Sequence, residues 1–291
     1  IMLTKQEFHD LIAQGLRFLD GATGSNLRNT GMPKGYPTEA WVLEHPDQLR
    51  RLQQDYARAG TQILFAPTFQ CQPIALQSRG LERDTEKINA QLVQMTKAAN
   101  PGCLVAGDIT TIVNFCDSWD PGCFDLLVEN YRRQIRGLID GGVDILGAET
   151  LLYPQEAEAI LTAAELEGAG AAMYTFTMQP DGSLFSGMEV GPILRELEKS
   201  GAAAVGFNCV PADHMTAGLV AKLRRYVKGP LICKPNAGFP EIREDGLAHY
   251  DMTPAEFAAI AEDCRQMGAT LFGGCCGTTP AHIAATVEKL K

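Results

Sequence analysis

Three cysteines carry the clearest chemical signal in this chain: Cys209 in GFNC, and the adjacent pair Cys275 and Cys276 in GGCCG. Two neighbouring thiols can hardly bridge each other, and the glycines beside them weaken the apolar segment they follow. Three soft thiolates with no fourth cysteine nearby suit a zinc site with an open position, because closed structural sites normally take four protein ligands. Adjacent cysteines reach one metal only where the backbone turns sharply, and Gly273, Gly274 and Gly277 permit such a turn. The competing reading is packing. Buried free cysteine is common as a small apolar residue, and Cys71, Cys103, Cys116, Cys123, Cys233 and Cys264 are read that way. Spacing alone leaves both readings open for the other three. His282, near the start of the last helical segment, is a reserve fourth ligand, whereas His9, His45, His214 and His249 read as solvated side chains.

Acids stand at two further informative positions, Asp20 after LRFL and Glu149 after VDILGA. Each could simply cap the next helix or pair with an arginine. Set around a thiolate-bound metal, two acids and several glycine amides would instead form a pocket for a zwitterion, the acids taking an ammonium group and backbone N–H groups a carboxylate.

The elements that must position these residues are legible as alternating patterns. Short apolar, β-rich runs read as strands over 16–20, 61–66, 103–108, 143–149, 171–178, 202–209, 230–234 and 269–274. Between them the apolar spacing becomes helical, as in Leu49, Leu52 and Tyr56, or Phe124, Leu127, Tyr131, Ile135 and Leu138. Thr253-Pro254 and Thr279-Pro280 are helix starts, a capping hydroxyl followed by proline at the first helical position. Eight strands alternating with eight helices over 291 residues predict one (β/α)8 TIM barrel domain, 1–291, since that fold typically takes roughly 250 residues. A helix over Thr4 to Ala13, with Thr4 and Glu7 spaced as a capping box, would precede the first strand and plug the barrel floor. An open doubly wound sheet would want G-x-G-x-x-G after an early strand, and DGATGSN is not that pattern. In the barrel, the strand carboxyl ends converge: Asp20, Thr68 and Phe69, Asp108, Glu149, Gln179, Asn208 and Cys209, Asn236, Cys275 and Cys276. The longest loops, 26–44, 114–122 and 236–252, fall on the same face.

Bulk properties exclude several function classes. A net charge of −10 spread along the chain opposes nucleic acid or anionic lipid as a partner. No apolar run approaches the ~20 residues of a membrane span, and the first residues lack a signal-peptide layout, which predicts a cytoplasmic protein with reduced thiols.

The motifs DGATG (20–24), AETL (148–151), GFNC (206–209), PNAG (235–238) and GGCCGTTP (273–280) resemble, in order and spacing, the homocysteine S-methyltransferase family. The likeness runs from about residue 15 to the end, and PNAG with GGCCGTTP is most similar to the homocysteine-binding module of cobalamin-dependent methionine synthase. It implies a (β/α)8 barrel, zinc on Cys209, Cys275 and Cys276, contacts from Asp20 and Glu149 to the amino group of homocysteine, and Gly21 near its carboxylate. Thr68, Phe69 and Asn208 complete the expected substrate-binding set. The implied activity is methyl transfer to the homocysteine thiol, giving methionine. The donor would be a small molecule or a methylcobalamin-type group on a corrinoid protein, carried by another domain or chain. The chain departs from the family pattern twice: APTF (66–69) replaces TNTF, and GDITTI (107–112) stands where G-x-I/V-G-P is frequent. A methyltransferase for another thiol, or a zinc- or thiol-binding protein without turnover, are the alternative readings.

Overall fold

In the computed structural model, which describes residues 1–115 and 120–291, helices and parallel strands alternate along the chain. The helices are α1 (Lys5–Ala13), α2 (Gly24–Asn29), α3 (Thr38–Glu44), α4 (Pro46–Ala59), α5 (Pro73–Leu76), α6 (Thr85–Ala99), α7 (Pro121–Asp140), α8 (Pro154–Leu166), α9 (Val190–Lys199), α10 (Thr216–Arg224), α11 (Pro254–Gln266) and α12 (Pro280–Leu290). The strands are β1 (Ile63–Ala66), β2 (Leu104–Ile109), β3 (Ile145–Leu151), β4 (Ala172–Phe176), β5 (Ala204–Pro211), β6 (Leu231–Asn236), the short hairpin pair β7 (Glu241–Ile242) and β8 (Ala248–His249), and β9 (Leu271–Phe272).

Seven strands form one curled parallel sheet in the order β1-β2-β3-β4-β5-β6-β9. The expected first strand, 16–20, is reduced to two bridges, Phe18 with Phe272 and Leu19 with Ile63, which join the two edges of that sheet. Its shortness has a local cause: the Gln62 side-chain carbonyl takes the N–H groups of Arg17 and Phe18 at 2.7 and 2.9 Å, so they are lost to the ladder. The result is TIM-barrel-like, as the alternation predicts.

Strand alternation sorts the side chains into two layers. Leu64, Val105, Leu146, Tyr174, Val205 and Phe272 point outward and are buried against the helices. Ile63, Ala106, Ile145, Met173, Ala204, Ile232 and Leu271 point inward, where Phe8 of α1 packs among them. The N-terminal helix therefore plugs the floor, tied there by Leu3 N–H to the Asp144 carbonyl at 2.9 Å and Ala171 N–H to the Leu3 carbonyl at 2.7 Å. Its Thr4–Glu7 capping box is present, and α11 and α12 start at Pro254 and Pro280 after threonine caps. The 26–44 segment is more ordered than the expected loop, since it contains most of α2 and all of α3.

One expectation about thiols fails. Cys71, Cys103, Cys209, Cys233, Cys264, Cys275 and Cys276 are free, but Cys123 is disulfide-bonded; Cys116 lies outside the described residues. No helix among the described residues is long and apolar enough to cross a membrane.

Candidate active site

The two-residue period of the strands decides what faces the barrel mouth. Because Ala106, Gly147 and Ile232 point inward, the residues two further on, Asp108, Glu149 and Lys234, do so as well, one layer nearer the carboxyl ends. A cavity of about 530 Å³ opens above this layer. Asp20, Asp108, Glu149 and Lys234 line one part of it, and Cys209, Cys275 and Cys276 another.

The three thiols are brought together as their types suggested, with every Sγ within 4.8 Å of the other two. Two backbone devices produce this. At the end of β5 the register shifts between Asn208 and Pro211, and Cys209 takes φ +57°, a left-handed conformation rare outside glycine. After β9 the chain turns tightly: Gly277 has φ +79°, and Thr278 N–H and Oγ1 donate to the Cys275 carbonyl at 3.1 and 2.7 Å. Hydrogen bonds from Cys275 N–H to the Pro235 carbonyl (2.8 Å) and from Ala237 N–H to the Cys276 carbonyl (3.0 Å) fasten the turn to β6. Hydrogen bonds from Cys209 and Cys275, and then from Tyr250, pull the Cys276 thiol far below the usual thiol range against the opposing effect of burial. The same network, led by Cys209, pushes Cys275 well above it. Three thiols held this close, their titrations bound to one another, are the donor set expected of a soft-metal site. His282 does not join it: Nδ1 accepts from Thr279 N–H and Oγ1, and Nε2 meets the Met252 carbonyl at 2.8 Å, so the ring caps α12.

Among the described residues, the acidic floor holds one cation. Lys234 Nζ lies 2.5 Å from Glu149 Oε2 and 3.8 Å from the centre of the Phe65 ring. Burial alone would drive the lysine neutral, but Glu149, Asp20 and Asp108 outweigh it and raise the ammonium above its ordinary value. Asp20 accepts Phe65 N–H through Oδ2 at 2.9 Å, and its carboxyl is lifted to about 7, chiefly by burial. Burial, with Glu149 next, raises Asp108 well above the carboxylate range, and its carboxyl hydrogen-bonds that of Glu149. Glu149 itself sits where β3 shifts register, beside Thr150 at φ +58°.

Gly21 and Phe69 line the cavity as expected. Thr68 and Asn208 do not: both are fully buried behind its wall. Thr68 Oγ1 donates to the Asp108 carbonyl at 2.8 Å and accepts Asp108 N–H at 2.9 Å. Asn208 Oδ1 accepts from Thr150 N–H and Thr175 Oγ1, and its Nδ2 donates to Thr150 Oγ1 at 2.8 Å and approaches Cys275 Sγ at 3.8 Å. Their polar atoms are spent on the framework. Sequence reasoning missed Lys234, Tyr250 and the place of Asp108 in the cluster. Strand alternation could have found Lys234 and Asp108, whereas nothing in the sequence points Tyr250 at Cys276.

A model of the homocysteine S-methyltransferase family matches residues 17–290. The chain belongs to that family. This homocysteine S-methyltransferase family member is an S-methyltransferase by descent, 28% identical to the homocysteine S-methyltransferase of Escherichia coli over 94% of each chain. It is 27% identical to the methionine synthase of Mycobacterium tuberculosis over 97% of its own length, but spans only 25% of that protein. The metallated form of the homocysteine methyltransferase MmuM from Escherichia coli has a TM-score of 0.82 to it at 26% identity, covering 96% of this chain and 98% of that one.

Proposed function

We propose that the chain transfers a methyl group to the thiol of homocysteine, giving methionine, with zinc held by Cys209, Cys275 and Cys276. The observation that carries this reading is the single cavity in which three converging thiols share a wall with a buried acidic cluster. The sulfurs are free, mutually within 4.8 Å and three in number, which suits a soft metal with one position left for a ligand from outside. When bound, zinc would supply Lewis acidity that takes a coordinating thiol to its thiolate at neutral pH.

The remaining chemistry belongs to the chain's own groups. The acids at the floor hold the substrate's ammonium, the amides of the loop beginning at Gly21 receive its carboxylate, and Phe69 packs at the mouth. With the amino acid fixed at both charged ends, its sulfur is aimed toward the thiols and away from Lys234. Thr68 and Asn208 keep Asp108, Thr150 and Cys275 in register. The substrate thiol loses its proton to solvent; a sulfur–carbon bond forms to the methyl group as the bond from that methyl to the donor breaks. The donor is a small methylated molecule or a methylcobamide on another domain or chain.

The test uses zinc-loaded protein with homocysteine and a panel of donors: S-methylmethionine, betaine and methylcobalamin. Methionine should appear with at least one of them, and homocysteine binding should release a proton. Binding without turnover by any donor would favour a thiol-binding protein. Unchanged homocysteine binding in Cys209→Ala, together with no proton release, would sink the metal–thiol reading.

A further inference from the structure

We propose that Arg28, with Thr38 beside it, receives a carboxylate of the methyl donor and so selects a small carboxylate-bearing onium compound. The inference rests on the homocysteine reading above and narrows the donor that this reading leaves open.

An inventory of arginines leads there. Arg17, Arg79, Arg132, Arg133, Arg136 and Arg224 are half-buried, and each donates to a carboxylate or a backbone carbonyl. Arg28 is half-buried as well, but among the described residues it has no acceptor. It lines the cavity instead. A guanidinium carries five N–H donors in a planar fork matched to a carboxylate, and holding it partly out of water with no acceptor forgoes that pairing. A methyl group built on Gly24 would lie 3.5 Å from Arg28 Nη1 and 3.6 Å from Thr38 Oγ1, so both donors reach the same stretch of wall. Thr38 Oγ1 also has no hydrogen-bond partner among the described residues. Glu39, the cavity-lining carboxyl next to Thr38, is held by Arg79 at 2.5 Å and so does not compete for Arg28.

Its place in the fold ties this cation to the thiols. α2 is fastened to the turn that carries them: Asn26 Nδ2 donates to the Thr278 carbonyl at 2.9 Å, and Ala22 N–H to Thr278 Oγ1 at 3.1 Å. Thr278 Oγ1 in turn donates to the Cys275 carbonyl at 2.7 Å. The guanidinium and the sulfurs thus belong to one braced unit, and the span between them sets the length of a donor that reaches both. A cavity of about 530 Å³ is of a size that takes a drug-sized ligand, so homocysteine leaves room in it for a second small reactant. The charged ends of homocysteine are met at the floor and at the Gly21 amides, which leaves Arg28 for that second reactant. With the donor's carboxylate on Arg28, the homocysteine thiolate bonds to the methyl carbon as the bond from that methyl to the onium sulfur or nitrogen breaks. The electron pair of the broken bond leaves with the neutral sulfide or amine.

The experiment gives the zinc-loaded chain homocysteine and, in turn, S-methylmethionine, betaine and dimethylsulfoniopropionate, each beside its carboxamide, which keeps the shape and loses the negative charge; methylcobalamin is run in parallel. Methionine should form with at least one carboxylate donor, at a kcat/KM about ten- to a hundredfold above that of its carboxamide, the worth of a hydrogen bond to a charged group. Arg28→Gln should close that gap by raising KM for the carboxylate donor, with KM for homocysteine, zinc content and melting temperature as in the wild type. Arg28→Lys should restore part of the gap. A gap that survives Arg28→Gln, a wild type that uses carboxylate and carboxamide equally, a rise in KM for homocysteine instead, or methionine formed from methylcobalamin alone overturns the inference and leaves the homocysteine reading intact. A wild type that makes no methionine, or binds no homocysteine, overturns that reading, and this inference with it.

Discussion

Replacing Lys234 by methionine removes the cation that pairs with Glu149 on a wall of three carboxyls, and the structure sets the size and pH dependence of the loss. The pair is well buried, with 5% of the Lys234 side chain and 11% of the Glu149 side chain exposed, so solvent does little to screen it. Breaking such a pair from one side leaves an uncompensated buried charge and costs about 3 to 5 kcal/mol. At about 2 °C per kcal/mol for a chain of this size, that is a fall of about 6 to 10 °C in melting temperature. The deficit should widen with pH. Lys234 is what holds down Asp20 and Asp108, both already raised by burial, so without it their folded values climb further. A carboxyl whose folded value lies above its unfolded one gives stability that is complete at low pH and lost as pH rises through the folded value. Urea melts at pH 5.5 and pH 8 should therefore show the larger loss at pH 8. Adding Glu149→Gln should return about 2 kcal/mol, because the two substitutions touch one interaction. A loss below about 1 kcal/mol at pH 8, or the same loss at both pH values, would refute the view that Lys234 is the structural counter-ion of this cluster.

The same logic predicts that Asp20→Asn stabilises the metal-free, substrate-free chain. A carboxyl lifted from 3.8 to about 7 costs up to about 4 kcal/mol once it ionises, so the gain should appear in urea melts at pH 8 and vanish near pH 4. Homocysteine affinity should fall in the same variant, which titration checks. Gly277→Ala should disturb the thiol turn: φ is +79°, and an added Cβ would lie 2.2 Å from Tyr250 Cγ. It should cost about 2 kcal/mol or more and bring zinc below one equivalent per chain, with helix content by circular dichroism unchanged.

Much of the barrel was legible because its signals are local. The stripes Leu49 to Tyr56 and Phe124 to Leu138 fall on the observed helices α4 and α7, since an amphipathic stripe is written within a few turns of one element. Strand positions were also readable, but strand length was not at 16–20, where the Gln62 side chain, more than forty residues away, takes the N–H groups a longer ladder would have used. Thr68 and Asn208 were expected to touch substrate because they sit at strand ends. Position along a strand does not reveal that a bulge beside Asn208, or the neighbouring β2 backbone beside Thr68, absorbs their polar atoms.

By itself, then, the order of residues determined the alternation of strand and helix, the plugging N-terminal helix, and which thiols had the type and glycine-rich setting to share a metal. Each depends on periodicity or residue chemistry within a short window. Only the closed barrel decided that Lys234 meets Glu149 across 85 positions of sequence, that Asp108 and Asp20 each keep one oxygen without a partner among the described residues, and that Tyr250 comes beside Cys276. Those outcomes depend on which inward-facing residues the curvature of the sheet brings to the same height, a property of the ring of strands that no single strand contains.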